Sequence, residues 1–380
     1  DSYNVGVGYQ AGLSVTTGIA NSLIGGLAGD ALTDADYNTG LGYLALSADT
    51  LGSNSVAIGA FALSDQNFTT ATDSFNVAVG YNAGGDLTTG DRTTLVGGLA
   101  GDAITTADGN TAVGYSSLST NTGSELNTAV GFQALRNFNV GSGSGYNVAV
   151  GAFSGDQLTT GTLNTLIGGL AGDALTVGTG NTAMGYSALS SDTQGSQSVA
   201  VGRGALETQN FTTGTNAYNV AVGRDAGNDI TTGIHNVFIG GLAGDALTDA
   251  DHNIAIGVSA LSADTLGSKS IAIGKATLEN QNFTTATDSY NVAVGYEAGN
   301  DVTTGRFNSL IGGLAGDAFT TGEHNTALGY QALTSDTAGS RNVAIGSNSL
   351  NAQNGVTGTV YNVAVGYAAG QNVTSGVQNT

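Results

Sequence analysis

Asn147-Val148-Ala149-Val150-Gly151 is followed 17 residues later by Asn164-Thr165-Leu166-Ile167-Gly168, and after another 17 by Asn181-Thr182-Ala183-Met184-Gly185. Working outward from these pentads, the same opening recurs from Asn4, Asn21, Asn38 and Ser55 through to Asn342 and Asn362, 21 coils in all. Every fourth coil is lengthened to 20 or 21 residues, which groups the coils into cassettes at 4–75, 76–146, 147–218, 219–290 and 291–361, with a partial one at 362–380. A fixed short period is the mark of units that stack their interiors on one another. The sequence therefore predicts an all-β protein: a parallel β-roll or β-solenoid of about 21 coils of 17 residues, read as one repeat array over 1–380. Stacked about 4.8 Å apart, the coils would extend on the order of 100 Å.

Each place in the coil carries its own demand. The fifth residue is Gly in all 21 coils, as at Gly8, Gly25 and Gly59, which a positive φ or a close backbone neighbour requires. The fourth is always large and apolar, as at Val7, Ile24, Leu41 and Ile58, and is expected to form the core. The first is Asn in 17 coils, which predicts an internal or turn-lining amide ladder along the stack. The eighth is Ala in 17 coils, and this row of small residues is expected to face a second chain. Each coil has few large apolar side chains with which to offset its backbone entropy. An intertwined homotrimer follows as the expectation, and a monomer that closes its own core is the competing one. The ninth residue runs Gly, Gly, Leu, Leu through every cassette, as at Gly12, Gly29, Leu46 and Leu63. Where it is Gly, an apolar residue stands at the twelfth place, as at Val15 and Leu32, which suggests two alternating backbone paths.

Composition narrows the function classes. The chain has 62 Gly and no Pro, Cys or Trp, so neither a disulfide nor a thiolate zinc site can form. A net charge of −21 repels a nucleic-acid backbone, and no apolar run is long enough to insert in a membrane as a helix. Asp1-Ser2-Tyr3 matches Asp73-Ser74-Phe75 inside the array, which suggests a segment of something longer.

The segments Asn54-Ser55-Val56-Ala57-Ile58-Gly59 and Ser198-Val199-Ala200-Val201-Gly202 resemble the head repeats of trimeric autotransporter adhesins. Asn325-Thr326-Ala327-Leu328-Gly329-Tyr330-Gln331-Ala332-Leu333 is similar to repeats in phage tail-fibre shafts. The first resemblance implies a trimeric left-handed parallel β-roll. Both imply a structural or adhesive extracellular fibre at a cell or virion surface, with a host glycan or protein as the expected partner. A monomeric ligand- or ice-binding solenoid is the alternative. Thr pairs such as Thr16-Thr17 and Thr88-Thr89 come once per cassette, too sparse for an ice lattice.

Chemistry-bearing constellations are poor. Gly6-Val7-Gly8-Tyr9-Gln10-Ala11 fits a dinucleotide pattern only because the coil repeats it. His235, His252 and His324 stand singly before coil starts, so no catalytic or cofactor residue is assigned and no enzyme is expected. Asp30, Asp102, Asp173, Asp245 and Asp317 recur once per cassette without the spacing of a calcium roll, leaving calcium a weak prospect and metal ligands unassigned. Insertions in repeats collect on the binding face. The candidate partner-binding residues are accordingly those of the bulges: Asn67, Phe68, Asn210, Phe211, Asn282 and Phe283.

Overall fold

A strand whose neighbours are copies of itself must hide one side and present the other. In the computed structural model, which describes residues 2–380, the second to fourth residues of each coil are that strand, and the chain forms a parallel β-solenoid of about 21 coils. No helix occurs among the described residues. Two compact units are distinguished: residues up to Ser187 with Thr193–Gly195, and Ala188–Asp192 with Ser196–Thr380. The first carries eleven stacked strands from Val5–Val7 to Thr182–Met184, the second ten from Val199–Val201 to Val363–Val365. Pairing is always to the same place in the next coil, as in Val77↔Thr94, Ala78↔Leu95 and Val79↔Val96.

The orientation of this strand overturns the expected core. The third residue points inward: Leu23, Ala57, Ala78, Leu166 and Phe238 are buried. The fourth points out, with Val7 56%, Ile24 42%, Leu41 43% and Val150 37% exposed. The row of eighth-place alanines, Ala28, Ala45, Ala100 and Ala171 among them, lies inside the same chain. It cannot be the face offered to a second copy. The interior is so thin that it admits small residues opposite one larger one, and it is filled by its own coil.

That larger side chain comes from the ninth or the twelfth place. The backbone at the ninth is left-handed in both classes, with φ 57° at Gly29 and 55° at Leu46, and the classes part beyond it: the Leu coils return through two-residue strands such as Gly52–Ser53 and Thr72–Asp73, which no Gly coil carries. A Cβ on Gly29 would lie 2.7 Å from Leu23 Cδ2 and 2.8 Å from Leu32 Cδ1, so glycine yields its space to the Leu at the twelfth place. The fifth-place glycines need both of their freedoms. Gly59 has φ 135°, and a Cβ there would meet the Gly80 carbonyl oxygen at 2.2 Å.

The amide ladder runs inside. Asn21 N donates to Asn4 Oδ1 at 2.8 Å, Asn38 N to Asn21 Oδ1 at 2.9 Å and Ser55 N to Asn38 Oδ1 at 2.9 Å. Most of the side-chain amides also donate within their own coil, as Asn21 Nδ2 does to Ala35 O at 2.7 Å. These bonds satisfy polar groups that burial would otherwise penalise by about 1–3 kcal/mol each.

Candidate partner-binding surface

The bulges grow from a polar lock. In the third coil of the first cassette the twelfth place is Asp49, in the fourth it is Gln66, and both are fully buried. Asp49 Oδ1 accepts from Gly52 N at 3.0 Å and Phe68 N at 3.1 Å, and Oδ2 accepts from Gln66 Nε2 at 2.6 Å. Gln66 also donates to Ser55 Oγ at 2.9 Å and accepts from Asn76 Nδ2 at 2.9 Å. Ser55 replaces the ladder Asn, and the longer Gln66 carries the ladder across the gap. Asp264, Ser270 and Gln281 repeat this arrangement in the second unit. Burial raises the carboxyls of Asp49, Asp264 and Asp336 above their ordinary value, against the lowering effect of these hydrogen bonds. The recurrence of Asp and Gln at the twelfth place, together with Ser at the first, was the available signal for this lock.

The lock determines where the candidate residues sit. Phe68, Phe211 and Phe283 are only 7%, 6% and 6% exposed, so their rings are turned into the chain. Asn67 Oδ1 and Asn282 Oδ1 accept the hydroxyls of Thr50 and Thr265 at 3.1 and 3.2 Å, fastening the bulge to the preceding coil. Asn67 and Asn210 are half-buried and Asn282 is exposed. The outermost groups are the threonine pairs that follow, Thr69-Thr70, Thr212-Thr213 and Thr284-Thr285. Behind each tip the chain rejoins the stack through a two-residue parallel pair, such as Gly267–Ser268 with Thr287–Asp288.

Beside the third of these bulges lies a groove of about 730 Å³ lined by Asp249, Asp251, Ser268, Asp288, Tyr290 and Arg306, among others. Above it runs the last residue of each coil, left-handed and outward, which includes all three histidines. Tyr218 stacks on His235 and His235 packs on His252, with centroids 5.8 and 5.0 Å apart; Tyr290 stacks on Phe307 and Phe307 on His324 at 5.8 and 4.7 Å. These rings use their faces on one another and show their edges to solvent.

The recurring acids are turn residues. Asp36 Oδ1 and Asp251 Oδ1 each accept a backbone N–H from the preceding coil at 2.8 Å. Burial raises Asp173 and Asp245 to about 6, with Asp156 beside the first and Asp229 and Asp225 beside the second adding to the rise. Among the described residues no group of three or more His, Asp or Glu is arranged to hold a metal ion.

The strand face is the second exposed surface. At the second and fourth places of all 21 coils there is no charged residue: the face is Val, Ile, Leu, Met, Thr and Ser throughout. Tyr81, Tyr115 and Tyr330, at the sixth place, border it and are 60%, 50% and 54% exposed. No known family and no curated protein matches this sequence. Among the described residues no helix is long and apolar enough to cross a membrane.

Proposed function

We propose that this chain is a structural and adhesive segment of an extracellular fibre, at a cell or virion surface, in which three copies associate side by side. The supporting observation is the uncharged strand face in a chain of 29 acidic and 8 basic residues. Two such faces can approach without like-charge repulsion, and their identical coil spacing keeps them in register. Because each coil fills its own interior, the proposed contact is between closed solenoids and not within a shared core. With strands about 4.8 Å apart, the face of either unit offers on the order of 500 Å², more than half of the roughly 800 Å² per partner of a stable interface. The likeness of the pentads to adhesin-head and tail-fibre repeats supports the same reading. In it the threonine tips and the groove beside them meet the host glycan or protein, and the chain performs no catalysis.

Light scattering tests the association. The expected mass is three times 37.4 kDa, about 112 kDa. Val79→Lys with Ile256→Lys should reduce it to 37.4 kDa while leaving the β-sheet circular dichroism unchanged. A wild-type chain that runs at 37.4 kDa would remove the proposal.

A further inference from the structure

Where the other bulges hold the peptide nitrogen after their asparagine, the last one releases it. Phe68 N and Phe283 N donate to the buried carboxylates of Asp49 and Asp264 at 3.1 and 3.0 Å. Val140 N, after Asn139, donates to Ser124 Oγ at 2.9 Å. In the bulge that follows Gln353 the corresponding residue is Gly355, in the only Asn-Gly pair of the sequence. Its nitrogen turns back on the preceding side chain, donating to Asn354 Oδ1 at 2.6 Å. Asn354 is exposed, Gly355 has φ 81°, and no heavy atom lies within 4 Å of where a Cβ on Gly355 would stand.

We infer that Asn354-Gly355 is a self-modifying site, at which the chain loses its side-chain amide by intramolecular acyl transfer. The Gly355 nitrogen gives its proton to solvent base and attacks Asn354 Cγ. A C–N bond forms, and charge gathers on Oδ1. Thr337 Oγ1 donates to that same oxygen at 3.4 Å, a contact that strengthens as the oxygen becomes anionic. Nδ2 then takes a proton from solvent, the Cγ–Nδ2 bond breaks and ammonia leaves, giving a five-membered succinimide. Water opens the ring at either carbonyl, producing an aspartyl or an isoaspartyl residue. No oxidant or cofactor enters. Proximity supplies the acceleration, since nucleophile and electrophile are held in one small loop. The open space around Gly355 accommodates both the ring and the extra backbone methylene of the isoaspartyl product. The outcome is a new carboxylate on this bulge and on no other.

The test is peptide mass mapping of the intact folded chain held at 37 °C across a pH series, with isoaspartyl methyltransferase labelling. A gain of about one dalton at Asn354 should accumulate at least roughly ten times faster than at Asn67, Asn139 or Asn282, because Gly frees the attacking nitrogen that the other bulges restrain. The rate should climb with pH, fall to the level of the other asparagines in Gly355→Phe, and slow severalfold in Thr337→Val. Modification no faster than at Asn67, or slower in the folded chain than in guanidinium, would overturn the inference.

Discussion

The bulge that begins at Gln66 and the one that begins at Phe138 relieve the same lengthened coil by opposite means. In the first, a buried carboxylate gathers two backbone N–H groups and a glutamine amide, and Ser55 gives up its ladder position to make room. In the second, the twelfth place is Phe138, fully buried, and the ladder passes unbroken from Asn110 through Asn127 to Asn147. Asn121 replaces Asp49 and satisfies itself locally on Ser124 O and N at 2.7 and 2.9 Å. Gly145 clears the ring, since a Cβ there would lie 2.6 Å from Phe138 Cζ. A polar lock fixes the direction of each donor but carries the cost of burying a charge. An apolar plug holds by contact alone, and it is silent to pH.

Breaking the plug should cost most. Phe138→Ala is expected to lose about 3–5 kcal/mol, read by denaturant unfolding, with faster hydrogen exchange at Thr128–Val130. Phe68→Ala should lose less, because the lock around it survives.

Breaking the lock comes next. Asp49→Leu leaves Gly52 N, Phe68 N and the Gln66 amide without their acceptor, an expected loss of about 3 kcal/mol. Transplanting the plug sharpens the comparison. Asp49→Asn, Ser55→Asn, Gln66→Phe and Ser74→Gly, the last to clear the ring as Gly145 does, together should recover all but about 1 kcal/mol if the two solutions are interchangeable, and larger residual loss would show that the Phe68 ring needs the lock.

Titration separates the raised carboxyls from the apolar plug more gently. A carboxyl raised in the folded state binds its proton more tightly folded than unfolded. Its stabilisation is complete below the ordinary value of 3.8 and is lost as pH rises through the raised one. For Asp173 and Asp245 that loss begins near 3.8 and is complete once the pH has passed about 6. Thermal melting should therefore fall as the pH rises from about 4 to about 6. Asp173→Asn should flatten the trend, whereas changes at Phe138 should leave its slope alone.

The smallest effect is expected at Val150. It faces outward, so Val150→Thr should change monomer stability by less than about 0.5 kcal/mol. Melting of the surrounding coils would restore it to the interior.

That last pair of outcomes marks where the sequence misleads. The period, the invariant glycines and the Asn ladder were legible because each is a backbone requirement repeated without side-chain compromise. The face of the strand was not, because its amphipathy is inverted: Ala149 lies inside while Val148 and Val150 lie outside. Size normally indicates burial, but an interior this narrow reverses the rule. The burial of the bulge phenylalanines was not legible either, since the Asp and Gln that draw their backbone inward lie one coil apart and show no local motif. Gly355 stood in plain view, yet its meaning depended on knowing where the neighbouring nitrogens were bound.

The glycine column also governs how the array can change in length. With Gly59 and Gly168 each a hydrogen atom's width from the carbonyl of the next coil, a shift of one residue between coils would set a side chain where only a hydrogen fits. Whole coils can be added or removed without penalty at this column, and extra residues fit only after the twelfth place of a fourth coil, where the path leaves the stack and returns. The chain is therefore counted in seventeens, and a deletion of one residue within a strand should be felt more strongly than the removal of a whole coil.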